Sequence, residues 1–140
     1  MSHRRHGLII VKPAHHQRTQ QDILHLLTTA SLFPGITIAC ILPREWVDAL
    51  YAEHVEKEWY ENHAAYMTSG VSVVCLVNHD LEDDPIPTML RVKRAVRGLY
   101  ADPMVSYRNA IHTSDSLESA EREEELFWQL VDLHAHRRTT

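Results

Sequence analysis

An α+β fold, a ferredoxin-like sandwich whose four-stranded antiparallel sheet is covered by helices, is predicted by three features of this chain. Four apolar runs of strand length, residues 7–11, 36–42, 71–77 and 107–112, are bounded by proline, glycine or polar breakers. Segments with helical apolar spacing separate them. The resulting order, strand–helix–strand and then strand–helix–strand, is the doubled unit of such a sandwich. The 140 residues, 44% apolar and 24% charged, suit one domain over 1–140 that buries about 68–70% of its unfolded surface.

The elements follow in order. Gly7-Leu8-Ile9-Ile10-Val11 is a buried strand stopped by Lys12-Pro13. Thr19 stands as N-cap of a helix that buries Ile23, Leu24, Leu26 and Leu27. Phe33-Pro34-Gly35 ends that unit ahead of the second strand. Pro43 opens an amphipathic helix through Trp46, Val47 and Leu50, with helical character running to about Tyr66. Ser69-Gly70 breaks it before the third strand. The acidic stretch 80–84 with Pro85 and Pro87 reads as a loop, and 89–99 as a basic helix. Asp115 and Glu118 stand at N-cap and N3 of a final helix over 116–134.

Composition narrows the function. A net charge of −5 argues against a general nucleic-acid surface, and no apolar run reaches the ~18 residues of a membrane span. Lys12-Pro13 interrupts the first apolar run too early for a signal-peptide core. The expectation is a cytoplasmic protein with Cys40 and Cys75 as buried thiols.

Phosphate chemistry is the most specific signal. The four glycines, at 7, 35, 70 and 98, cannot form a glycine-rich phosphate cradle. An anion site would then rest on charged side chains and a helix N-terminus. Lys12 leaves the first strand, and Arg91, Arg94 and Arg97 share a broad helix face. Such a stripe is otherwise a solvated face. His112 ends an apolar run just before a helix start, a placement that suits a nucleophile towards phosphate. Among the eleven histidines, His15, His16, His134 and His136 have no complete set of metal ligands and read as surface residues.

These residues belong to a recognisable pattern. Arg108-Asn109-Ala110-Ile111-His112-Thr113-Ser114-Asp115-Ser116-Leu117-Glu118-Ser119-Ala120-Glu121-Arg122-Glu123 is similar to R-N-x-x-H-G-S-D-S-x-E-S-A-x-x-E, the active-site motif of the nucleoside diphosphate kinase family. Ile10-Val11-Lys12-Pro13, Tyr66-Met67-Thr68-Ser69-Gly70 and Val96-Arg97-Gly98-Leu99-Tyr100 extend the resemblance along nearly the whole chain. It implies a ping-pong transfer of a γ-phosphate through a phosphohistidine, with magnesium carried on the nucleotide phosphates. It also implies nucleoside di- and triphosphates as partners and a homo-oligomer.

By this resemblance His112 is the nucleophile, Glu123 orients its ring, and Ser114 is the neighbouring hydroxyl. Lys12, Arg97 and Arg91 bind phosphates, with Arg94 competing for the place of Arg91. Asn109 meets the sugar, Tyr51 lies near the phosphates, and Trp59 stacks on the base. Three departures stand out: Thr113 replaces the usual glycine, Ala14 the usual aspartate, and the segment before Arg97 is short. They leave a catalytically weak or regulatory nucleotide-binding module as the alternative.

Overall fold

Two of the apolar runs become the central strands of the sheet. In the computed structural model, which describes residues 5–14 and 16–139 and side chains to residue 136, β1 (Gly7–Val11) is buried throughout and β3 (Ser72–His79) nearly so. β2 (Leu32–Cys40) and β4 (Ile111–Thr113) flank them in the antiparallel order β2-β3-β1-β4. This is the predicted α+β sandwich. His15 and residues 1–4 lie outside the described residues.

Each face of the sheet has its own core. Leu8 and Ile10 of β1 pack with Trp46, Tyr60 and Phe127 beneath α2 (Arg44–Leu50), α3 (Tyr60–Met67) and α5 (Leu117–Thr139). Ile9 and Val11 point the other way, to Ile23, Leu27, Met89 and Val96 of α1 (Gln17–Thr29) and α4 (Ile86–Tyr100). At about 1.5–3 kcal/mol for each large apolar side chain buried, a one-residue slip of β1 would exchange both sets and is not tolerated. A Cβ at Gly7, the start of β1, would meet the end of the Met89 side chain on α4, so that flexible side chain packs directly over the glycine.

Several boundaries differ from the sequence reading, each for a physical reason. The helix expected from Pro43 to about Tyr66 is broken after α2 by a 3₁₀ turn, Ala52–His54, and further turns before α3. Residues 52–59 carry only Val55 and Trp59 as large apolar side chains, and both are exposed, so no packing holds that stretch helical. β2 starts at Leu32 and takes in Pro34 through a bulge between Pro34 and Thr37, which an edge strand permits. α4 starts at Ile86, whose N–H donates to Asp84 Oδ1 at 2.9 Å, so Pro87 lies in its first turn.

Helix starts also shift. α1 begins at Gln17 with His16 as N-cap, and Thr19 falls inside the first turn. Buried Gln20 positions it instead, its carboxamide donating to Lys12 O at 3.0 Å and Val71 O at 2.8 Å. At α5 the reciprocal cap joins Ser116 and Ser119, each Oγ accepting from the other's backbone N–H. That leaves Asp115 free to pair with Lys93.

Candidate active site

β4 is an edge strand, and a cavity of about 610 Å³ lies along it. One wall comes from α4, the other from the broken segment between α2 and α3. β4 is much shorter than residues 107–112 suggest, because Ala110 takes a left-handed backbone with φ +75°. An alanine there is strained by roughly 1–2 kcal/mol. Its carbonyl accepts from Lys12 N–H at 2.9 Å, which ties the strained turn to the end of β1.

His112 sits in the middle of β4 opposite Ile10. Its Nε2 donates to Glu123 Oε1 at 2.7 Å, and Glu123 is buried. With Nε2 carrying the proton, Nδ1 keeps its lone pair. The Tyr51 hydroxyl lies 3.3 Å from Nδ1, in position to donate to it. Ser114 locks the arrangement from behind. Its Oγ accepts from Leu8 N–H at 3.0 Å and donates to Glu123 Oε1 at 3.3 Å.

Tyr51 is held by the break in the helix, since it is the C-cap of α2. Arg122 on α5 donates to Ala49 O at 3.3 Å and Leu50 O at 3.2 Å, a cation meeting the C-terminal carbonyls of α2. Burial pushes the Tyr51 phenol well above its ordinary value, aided by the charge of Glu123. It is a neutral donor at physiological pH.

The cations form a separate group. Lys12 is only 3% exposed, and its ammonium donates to Asn109 Oδ1 at 2.7 Å and Tyr107 O at 3.4 Å. Burial, then the charges of Arg97 and Lys93, lower its pKa from 10.5 to about 7. Arg97 donates through Nη2 to Ile111 O at 3.2 Å, and burial lowers its pKa as well. Lys93 also lines the cavity, its Nζ 2.6 Å from Asp115 Oδ1.

Most of the residues singled out from sequence meet here: Lys12, Tyr51, Trp59, Arg97, Asn109, His112 and Glu123 line the cavity, with Ser114 behind Glu123. Arg91 does not. It donates to Thr88 Oγ1 at 2.9 Å and borders a different cavity between α1 and α4. Arg94 is exposed and borders neither. Lys93, four residues from Arg97 and so almost directly below it on α4, is the other α4 cation that lines this cavity.

The open end is aromatic. Trp59, 43% exposed, has its ring centroid 5.4 Å from His54 and 5.6 Å from His63. His63 is buried edge-on to Tyr51 at 4.5 Å, and burial lowers its pKa to about 3, so it is neutral. Sequence reasoning missed His63, Lys93 and Arg122.

Two of the departures prove structurally mild. Thr113 pairs with Ile9 in extended β4, so its side chain faces away from His112 and its backbone needs no glycine. Ala14 is exposed and borders a second cavity, of about 540 Å³, on the far side of Lys12.

Known proteins match this arrangement. Residues 5–133 fit the family model described as nucleoside diphosphate kinase. The chain is 37% identical over 95 residues to the nucleoside diphosphate kinase of Listeria monocytogenes, covering 62% of this chain and 63% of that protein. It therefore spans less than two thirds of that relative's length. The Saccharolobus solfataricus enzyme is 37% identical over 103 residues, 66% of this chain and 70% of that one. Among solved structures, the Aquifex aeolicus nucleoside diphosphate kinase superposes with a TM-score of 0.74 at 23% identity, over 88% of this chain and 94% of its own. The Halobacterium salinarum enzyme, solved with CDP, gives 0.73 at 25% identity over 89% and 88%. With the family model covering almost the whole chain, and the histidine motif lying on β4 and the start of α5 at the edge of the same sheet, the chain belongs to the nucleoside diphosphate kinase family.

Proposed function

We propose that this protein is a nucleoside diphosphate kinase working by a ping-pong mechanism through phosphohistidine at His112. One observation carries the reading: Glu123 accepts the hydrogen bond from His112 Nε2–H and leaves the Nδ1 lone pair facing Tyr51 and the cation-lined cavity. In the first half-reaction Nδ1 attacks the γ-phosphorus of a nucleoside triphosphate, the bond to the bridging oxygen breaks, and the diphosphate leaves. A second diphosphate then attacks the phosphohistidine and takes the group.

The protein's share is placement and charge. Glu123 and Ser114 hold the ring, Lys12 and Arg97 neutralise the phosphate chain, and the Tyr51 hydroxyl meets oxygens near the transferred group. Asn109, tied to Lys12, is the sugar contact. Trp59 stacks on the base, a contact worth roughly 1–3 kcal/mol that tolerates any base. The CDP bound by the Halobacterium salinarum relative supports a nucleotide in this cavity.

Magnesium is assigned to the substrate. Among the described residues no group of three or more His, Cys, Asp or Glu is placed to hold a metal ion. Phosphate oxygens and water would be its ligands, and its role when bound is to neutralise charge. No helix among the described residues is long and apolar enough to cross a membrane, and the buried free thiol of Cys75 supports a reducing, cytoplasmic setting. Exposed Phe33 and Ile36 on edge strand β2 support self-association as a homo-oligomer.

The test is direct. Incubation with γ-labelled ATP leaves acid-labile, base-stable phosphate on the protein, and a chase with any nucleoside diphosphate removes it. His112→Ala abolishes both. Nucleotide binding without any phosphohistidine would make the chain a binding module instead.

A further inference from the structure

Four buried side-chain polar atoms among the described residues lack a hydrogen-bond partner: His63 Nδ1, Ser72 Oγ, Arg97 Nε and Thr113 Oγ1. Three of the four belong to residues that line the cavity. Buried polar groups are normally satisfied, so a cluster of exceptions around one cavity points to partners that arrive with a ligand.

Two of these orphans, Arg97 Nε and Thr113 Oγ1, lie on the side of the cavity formed by α4 and β4. Arg97 Nη2 donates to Ile111 O, and the side chains of Ile111 and Thr113 share the α4 face of β4. Thr113 is 2% exposed and follows the nucleophile directly. A valine would fill this strand position with the same shape and no unmet hydroxyl, so the threonine is a local cost. On the α4 side of the cavity stand the donors Arg97 and Lys93, the latter paired with Asp115, with Lys12 beyond them. An orphan hydroxyl beside these cations suits a ligand group that only accepts, which is a phosphate oxygen.

We propose that the Thr113 hydroxyl is a further phosphate-binding group, donating a hydrogen bond to an oxygen of the chain that Arg97 and Lys93 neutralise. The inference rests on the kinase reading for the identity of the ligand. It makes the residue that departs from the family motif a working part of the site.

Isosteric variants of the full chain test it, with inorganic tripolyphosphate and ADP titrated by calorimetry and the ligand-free protein melted. Thr113→Val is expected to melt higher and to bind tripolyphosphate about tenfold more weakly, while Thr113→Ser stays within about twofold of the parent. Should the valine variant fail to fold, Thr113→Ala removes the same hydroxyl and carries the same expectation for affinity. Unchanged tripolyphosphate affinity in the valine or alanine variant overturns the proposal. So does an equal loss in the serine variant, which would mean that shape matters and the hydroxyl does not. Because tripolyphosphate affinity is read without phosphoryl transfer, failure to form acid-labile phosphate from ATP counts against the kinase reading alone.

Discussion

The two halves of the site are built on opposite principles. The His112 ring and the groups that hold it are all met: Nε2 by Glu123, Nδ1 by Tyr51, Glu123 also by Ser114, and Ser114 by Leu8. Around Lys12 the reverse holds. Lys12, Lys93 and Arg97 crowd the same end of the cavity, Lys12 and Arg97 with pKa values lowered by burial, and Asp115 is the acid paired with Lys93. The first half is satisfied on its own, as the proposed transfer requires of groups that must be oriented beforehand. The second holds positive charges close together, which the polyanion of the proposed reaction would offset. Stability and function should therefore respond in opposite directions to changes in the two halves.

Lys12→Met gives the largest effect. It should lower phosphoryl transfer by roughly 10²–10³-fold, yet raise the melting temperature of the ligand-free protein by about 4 °C or more, since it removes a buried charge. The sign in pH follows from the same group. The folded amine sits at about 7 and the unfolded one at 10.5, so between those values the unfolded chain holds the extra proton. Stability of the ligand-free parent then rises with pH across that window, and the slope disappears in the variant. Nucleotide binding raises the Lys12 pKa again, so calorimetry near pH 8 in buffers of different ionisation enthalpy should show proton uptake. A variant that melts lower than the parent would break the comparison.

Glu123→Gln attacks the other half. The amide keeps the shape but presents a weaker partner to Nε2 and can hold the wrong tautomer. Transfer should fall by about 10–100-fold, with nucleotide affinity unchanged, as isothermal titration against ADP would show. A loss of affinity equal to the loss of rate would place Glu123 among the binding groups.

Which parts of this were legible beforehand follows the range of the interactions. His112 and the carboxylate bonded to its ring lie eleven residues apart in one contiguous motif, so the family resemblance alone paired His112 with Glu123. The runs Gly7–Val11 and 73–77, apolar at consecutive positions, announced the central strands for a similarly local reason. Lys93 was missed because Arg91, Arg94 and Arg97 look like one stripe in sequence, although Arg91 and Arg97 point about 120° apart on a helix of 3.6 residues per turn. Arg122 was missed because its partners, Ala49 and Leu50, are more than seventy residues away. The helix break that delivers Tyr51 was hidden as well, since it depends on Val55 and Trp59 finding no core to join.

Lys93→Ala against Arg91→Ala turns that helix phase into a measurement. Loss of Lys93 removes a cation from the cavity and frees Asp115 beside it. Triphosphate affinity should fall by about tenfold. Arg91→Ala breaks only the contact with Thr88 and should leave affinity within about twofold. Equal losses in the two variants would require α4 to rotate when nucleotide binds.

The smallest effect belongs to the joint between the halves. Ala110 is forced to φ +75° where the chain passes from Asn109, the partner of Lys12, into the strand that carries His112. Glycine adopts that conformation freely but also enlarges the unfolded ensemble, and the two effects oppose each other. Relief of strain is the larger, so Ala110→Gly should stabilise by about 0.5–1 kcal/mol in denaturant titration. Transfer should hold within about twofold, because Lys12 N–H can still donate to the residue 110 carbonyl. A stabilised variant with much slower transfer would show that the strain itself sets the distance between nucleophile and cations, and that the two halves are not independent.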